Sequence, residues 1–220
     1  MKVIAFVPIR LNSKRIIGKN LKLLGEKPLM VHVLDTLLKV PKIDEIFVYC
    51  SQSDVIQYLP QEIKFLKRNA DLDRDETLGE EIYAPFVKEI YADVYILAHA
   101  TSPFINHVTI ENALNQILEY GYDSAFSVEK IQTFAWYNGN PLNYNLKKVP
   151  RTQDIEPVFV ETSAFYMFKR EVWCKEKQRI GHNPYMQIVD KIEGVDIDNP
   201  YDFDMAEIIY KAKKDQASCF

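Results

Sequence analysis

Four cations fall within the eleven residues RLNSKRIIGKN near the start of the chain: Arg10, Lys14, Arg15 and Lys19. Near the other end, VDIDNP sets two carboxylates, Asp196 and Asp198, two residues apart. A basic loop and a spaced pair of acids have the chemistry of a metal–polyphosphate site. Arg offers a planar fork of donors and Lys a point charge, and both suit phosphate oxygens. Neighbouring carboxylates repel unless a cation lies between them. Mg²⁺ takes one or two carboxylates and fills its shell with water and substrate phosphates.

The loop is neither G-x-x-x-x-G-K-[ST] nor G-x-G-x-x-G. With Gly18 its only glycine, a cradle of backbone N–H groups is ruled out as the main grip, and side chains must do most of the holding. Several charge-assisted contacts match a triphosphate better than a monophosphate. Ser13 and Asn20 add neutral groups that would orient a base, ribose or phosphate. A solvated basic turn is the competing reading. The acids have a rival too: Asn199, Pro200 and Asp202 read as the cap, first position and first turn of a helix. That explains Asn199 and Asp202 but not Asp196. Elsewhere, His99 follows an apolar run at an expected ligand edge, whereas His32 fits a helix's apolar face. Asp71, Asp73 and Asp75 lack the glycine and terminal glutamate of a calcium loop in the right places, and the 69–77 segment reads as a solvated, mobile loop at the nucleotide's edge. Ser102 and Ser163 lack a nucleophile elbow, and no two histidines have zinc spacing.

These groups need a frame. KVIAFV (2–7), EIFVYC (45–50), IKFLKR (63–68), DVYILA (93–98), YDSAFSV (122–128), PVFVETSAFYMF (157–168) and KIEGVDI (191–197) read as strands. Helical spacing begins at Pro28 and recurs over 78–90, 107–119 (capped by Asn106) and 200–214. This alternation predicts an α/β fold: a mostly parallel open sheet with helices on both faces. Residues 131–150, rich in aromatics, Asn and Pro, read as a small antiparallel excursion, and the insertion around 131–168 as part of one domain spanning 1–220. In open α/β sheets ligands bind outside the carboxyl ends of the strands. The 10–20 loop, HATSPF (99–104) and DIDNP (196–200) all fall there. If residues 191–197 are a strand, alternation turns Asp196 and Asp198 to one face and Ile197 to the other.

The chain has 220 residues, 47% of them hydrophobic, and a formal charge of −4. That is enough for a core without disulfides and the wrong charge for bulk nucleic-acid binding. Cys50, Cys174 and Cys219 form no C-x-x-C pair, no signal-peptide pattern opens the chain, and no apolar run of about 18 residues occurs. A cytoplasmic protein that neither enters a membrane nor binds nucleic acid is expected.

With these segments assembled, the chain resembles the acylneuraminate cytidylyltransferases, the CMP-sialic acid synthetase-like enzymes. The resemblance rests on FVPIRLNSKRIIGKNLKLLGEKPL, ATSPF, RTQD, ETSAFYMFKRE and VDIDNPYDFDMAE. It implies a nucleotide-diphospho-sugar transferase-like, Rossmann-type fold, a homodimer, and transfer of CMP from CTP to the anomeric hydroxyl of an acidic α-keto sugar with Mg²⁺. It places Arg10, Ser13, Lys14, Arg15, Lys19 and Asn20 on CTP, with Arg68 near the cytosine. Asp196 and Asp198 become the metal ligands, and Arg10, Lys19 and Asp196 the catalytic set. His99, Arg151 and Gln153 face the acceptor, with Arg151 the candidate for its carboxylate, and the insertion serves dimerisation or the acceptor. Three departures from the family pattern stand out: Ile17 replaces a usual proline, His99 a usual glutamine, and Thr162-Ser163 a usual Asn-Gly. The expected alternatives are 3-deoxy-manno-octulosonate as acceptor, or a metal-dependent glycosyltransferase using a nucleotide sugar.

Overall fold

The computed structural model describes residues 1–217, so Cys219 lies outside the described residues. Seven strands form one sheet: β1 (Val3–Ile9), β2 (Glu45–Cys50), β3 (Lys64–Lys67), β4 (Val94–Ala98), β5 (Ser124–Ile131), β6 (Val158–Lys169) and β7 (Pro184–Val189). Their spatial order is β7-β5-β6-β4-β1-β2-β3. Only β6 runs antiparallel to its neighbours; all other pairs are parallel.

The apolar runs are nearly continuous because the sheet is buried on both faces. From β1, Val3, Ala5, Val7 and Ile9 pack with helices α1 (Leu29–Leu37) and α3 (His107–Glu119). Ile4 and Phe6 point the other way, to α2 (Gly79–Glu89) and α4 (Arg170–Glu176). Phe6 stacks on Phe86 with ring centroids 4.2 Å apart. The Asn106 side chain accepts a hydrogen bond from the Val108 N–H and caps α3, as its sequence position predicts.

A third, smaller core positions the site. Ile16 and Leu24 from the stretch after β1, Leu29 of α1, Phe104, Ile197, and Phe203 and Ala206 of α5 (Pro200–Ala217) are buried together. It fastens the basic loop to the C-terminal acids. The excursion carries a hairpin, Trp136–Tyr137 against Asn140–Pro141. Asn138 and Gly139 both have positive φ, the backbone that an Asn-Gly type I′ turn requires.

One predicted strand is absent. Residues 191–197 pair with no sheet strand, and the last strand is β7, at 184–189. β7 is an edge strand with alternating exposure rather than a continuous apolar run, so its pattern is weaker. Residues 190–194 instead turn, with the Asp190 carboxylate accepting from the Ile192 and Glu193 N–H groups. The chain then runs past His99–Thr101, joined by a backbone bond from the Ile197 N–H to the Thr101 carbonyl at 2.9 Å. Ile197 is fully buried and Asp198 faces the loop, as the alternation expects, whereas Asp196 lines neither of the two clefts beside it.

Candidate active site

Three segments meet at the carboxyl ends of β1 and β4. The loop after β1 folds over a short 3₁₀ turn, Lys19–Leu21, entered through Gly18 at φ 64°. A Cβ there would meet nothing within 4 Å, so the demand for glycine is conformational, not spatial. Asn20 is buried and donates to the Arg10 carbonyl at 2.9 Å, pinning the loop's two ends. Asn20 thus acts on the loop's own backbone.

Lys19 Nζ donates to the Ile197 carbonyl at 2.7 Å and lies 3.2 Å from Asp198 Oδ1. Arg15 reaches the same oxygen at 3.2 Å. Residues nearly the whole chain apart are thereby brought into one contact. Asp202 Oδ2 accepts from the Asp198 and Asn199 N–H groups, so the helix-start reading of Asp202 holds beside the charged role of Asp198. Asp196 Oδ1 is buried with no hydrogen-bond partner. Burial, with the Asp198 charge close by, pushes the Asp196 carboxyl above its ordinary range, against a hydrogen bond with Thr101.

His99 begins the segment after β4. Its Nδ1 bonds the Ser163 carbonyl. A carbonyl only accepts, so Nδ1 carries the proton and the neutral ring leaves Nε2 as an acceptor. Burial pushes the imidazole below its ordinary value, against that hydrogen bond. Ser163 sits at φ 60°, in an irregularity of β6 between Glu161 and Tyr166. A glycine would adopt that conformation without strain. Thr162 instead turns inward and donates to the Ser127 hydroxyl at 2.8 Å.

Two adjoining clefts open over these groups. One, of about 200 Å³, is lined by Arg10, Ser13, Lys14, Arg15, Lys19, Asn20, His99, Thr101 and Asp198 among others. The other, of about 250 Å³, shares Pro8, Arg10 and His99 and extends along Arg68, Arg74 and Tyr83. Arg68 is buried, donates to the Ile9 carbonyl at 3.1 Å and pairs with Asp73.

The acidic segment 69–77 borders the second cleft and stays solvent-exposed at Asp71, Arg74 and Glu76, as the solvated reading expects, but Asp73 and Asp75 tie it down. Asp73 pairs with Arg68, accepts from the Ser51 hydroxyl, and offers its carbonyl to Asn12. Asp75 pairs with Arg10 at 2.9 Å and with Lys14. Composition alone makes three spaced aspartates look like a solvent loop; the partners of Asp75 lie some sixty residues away, and local patterns carry no trace of them. Arg151 and Gln153 stand apart. They lie on an exposed 3₁₀ turn at Thr152–Asp154, where Arg151 pairs with Asp154 at 2.7 Å. Neither lines the two clefts. Ile17 is 90% exposed, and nothing in the structure explains its replacing the usual proline. Among the described residues no cluster of three or more His, Cys, Asp or Glu could hold a metal, and no helix is long and apolar enough to cross a membrane.

A family model described as cytidylyltransferase matches residues 4–217, nearly all of the chain. The chain belongs to the cytidylyltransferase family. Among its relatives, an N-acylneuraminate cytidylyltransferase A of Danio rerio is 27% identical over 213 residues, covering 92% of this chain and 49% of the relative. This chain thus spans about half the length of the fish enzyme. The CMP-N,N'-diacetyllegionaminic acid synthase of Legionella pneumophila is 26% identical over 223 residues, covering 94% of this chain and 95% of the relative. In fold, the chain is similar to a CMP:2-keto-3-deoxy-manno-octonic acid synthetase solved with CTP. The TM-score is 0.71 at 17% identity, with 97% of this chain and 100% of that one covered.

Proposed function

We propose that this cytidylyltransferase moves CMP from CTP to the anomeric hydroxyl of an acidic α-keto sugar, sialic acid or a related nonulosonic acid, and releases pyrophosphate. The observation that carries the proposal is the convergence of Lys19 and Arg15 on Asp198 in a cleft that Arg10, Ser13 and Lys14 also line. Cations from one end of the chain and acids from the other make the charge pattern that a metal-bound triphosphate complements. In this reading the phosphates lie across the 10–20 loop, and the nucleoside lies in the adjoining cleft near Arg68.

The donor set fits Mg²⁺. Asp196 Oδ1 is a buried oxygen with no partner, and it feels the Asp198 charge two residues on. Two carboxylates suffice for an ion that completes its shell with water and phosphate oxygens. Asp196 and Asp198 would hold the ion, which when bound would neutralise charge on the phosphates. The chain's own residues do the rest. Lys19 and Arg15 are set to balance charge on the phosphates, and Arg10 and Lys14 to take over phosphate oxygens from Asp75. The sugar's anomeric oxygen forms a bond to the α-phosphorus as the bond to the β-phosphate oxygen breaks. The hydroxyl proton leaves to a base, and pyrophosphate carries the electron pair. Catalysis of this kind is mainly positioning and electrostatics.

A homodimer belongs to the same proposal. Trp136, Tyr137 and Leu142 of the excursion, with Phe159, Val160 and Ile188 of the neighbouring strands, are exposed large apolar side chains, a surface that calls for a partner. A reducing cytoplasm suits the free Cys50 and Cys174.

The test is pyrophosphate release from CTP and Mg²⁺ with three acceptors offered separately: N-acetylneuraminate, N,N'-diacetyllegionaminate and 2-keto-3-deoxy-manno-octonate. Release with at least one is expected. Release with none, alongside turnover of a nucleotide sugar, would move the chain to the glycosyltransferase reading.

A further inference from the structure

The ladder between β5 and β6 breaks at one place. Glu161 faces Val128 and Tyr166 faces Phe126, so the four residues 162–165 of β6 stand against a single residue of β5, Ser127. An excess of this kind leaves ladder groups unpaired and re-aims the strand. Ser127 is buried, and its hydroxyl oxygen takes up the surplus. It accepts from the Thr162 hydroxyl at 2.8 Å at one end of the bulge and from the Phe165 N–H at 3.3 Å at the other. An alanine at 127 would leave a buried N–H and a buried hydroxyl without a partner.

The bulge in turn holds His99 twice. The His99 N–H donates to the Ala164 carbonyl at 3.1 Å, and the ring Nδ1 donates to the Ser163 carbonyl. Ser163 offers that carbonyl from φ 60°, a conformation that a residue with a side chain keeps only where its surroundings over-determine it. Tyr166, where the ladder resumes, packs edge-on against the imidazole with centroids 6.1 Å apart. The hydrogen bond at one ring nitrogen decides the state of the other. With Nδ1 committed as donor, Nε2 keeps a lone pair, and His99 lines both clefts. A lone pair there repels phosphate and carboxylate oxygens and pairs with a hydroxyl or an amide N–H. Ser127 itself lines neither cleft, so its influence passes through His99.

We propose that Ser127 is a positioning residue for the sugar: through the bulge it fixes the Nδ1–H tautomer of His99, whose Nε2 then selects a hydroxyl or amide N–H of the incoming substrate. That a sugar group meets Nε2 rests on the keto-sugar reading above; the hold of Ser127 on the tautomer does not.

Ser127→Ala removes the oxygen, and Thr162→Val removes one of its two partners. Val94→Ala, fully buried at the far end of β4, controls for lost packing. Long-range ¹H–¹⁵N NMR of the histidine-labelled protein without ligand, at about pH 8 where imidazole is neutral, reads which ring nitrogen carries the proton; His99→Gln assigns the signal. Wild type and Val94→Ala are expected to show His99 protonated on Nδ1. Ser127→Ala should move that proton to Nε2 in most molecules, and Thr162→Val in a smaller fraction. Ser127→Ala should also raise the KM of the sugar that wild type uses about tenfold, the loss of one hydrogen bond, with the KM of CTP unchanged.

A wild-type His99 protonated on Nε2, or a Ser127→Ala variant with the wild-type tautomer, overturns the assignment. So does a tautomer that shifts as far in Val94→Ala, the mark of general loosening. If Ser127→Ala does not fold, an unshifted tautomer in Thr162→Val overturns it. A shifted tautomer with an unchanged sugar KM overturns the selection by Nε2. If wild type turns over no acidic keto sugar while the tautomer still answers to Ser127→Ala, the keto-sugar reading falls and the positioning role stands.

Discussion

Phe203 touches no proposed substrate group, yet truncating it should disable the site. Its ring is fully buried among Ile16, Leu24, Leu29, Phe104 and Ile197, and Lys22 Nζ lies 3.9 Å from its centre. Emptying such a position costs about 3–5 kcal/mol for Phe→Ala, and the lost cation–π contact adds about 0.5–1 kcal/mol. A domain typically holds about 5–15 kcal/mol in reserve, so the variant should still fold. The damage should fall on the joint between the basic loop and the acids. Phe168 is equally buried, in the core under α2 and α4, and its truncation should cost a similar amount away from that joint. Urea unfolding of Phe203→Ala and Phe168→Ala should therefore give similar losses. CTP affinity, measured calorimetrically on the folded fraction, should fall only in Phe203→Ala. Equal CTP affinity in both variants would refute the claim that this small core sets the loop against Asp198.

Asp198→Asn should remove most CMP transfer while leaving the unfolding midpoint within about 1 kcal/mol of wild type, since its carboxylate is 44% exposed and its pairs count for little in stability; activity assays and urea unfolding on one preparation check both halves. Asp75→Asn frees Arg10 and Lys14 and should tighten CTP binding at low salt, an effect that shrinks as ionic strength rises; calorimetry at two salt concentrations that showed weaker binding would contradict the placeholder role. His99, whose imidazole burial holds below its ordinary pKa, gives a pH signature. The unfolded chain takes up the proton at about pH 6.5 and the folded one only at lower pH, so stability rises with pH across that interval and is lost on acidification below it. The contribution to the slope is at most about 1.4 kcal/mol per pH unit, and His99→Gln should flatten the profile between pH 7.5 and 5.5.

The sheet's central strands are readable because burial on both faces leaves nearly unbroken apolar runs, as in VIAFV and DVYILA. The edge strand β7 was hidden by its alternating exposure, and KIEGVDI mimics a strand because its apolar residues serve the third core instead of a ladder. Lys19, Asp196 and Asp198 stand out in the sequence because they lie in short charged segments beside apolar runs, and the helix start that accounts for Asn199 and Asp202 leaves Asp196 unexplained. The docking of Asp73 and Asp75 is not legible there: Asp75 pairs with Arg10 and Lys14 and the Asp73 carbonyl accepts from Asn12, partners that only the folded chain brings near. Arg151, which a motif match assigns to the acceptor, pairs locally with Asp154 on the exposed excursion, and within one chain it lines neither cleft.

The central claim is that this chain joins CMP to an acidic keto sugar through the α-phosphate of CTP. ³¹P NMR of one reaction, containing the protein, CTP, Mg²⁺ and the preferred acceptor, reads it directly. The account predicts that the CTP signals give way to a CMP–sugar phosphodiester and pyrophosphate in equal amounts, with no CDP. CDP with orthophosphate, or pyrophosphate accompanied by free CMP and no phosphodiester, would contradict it.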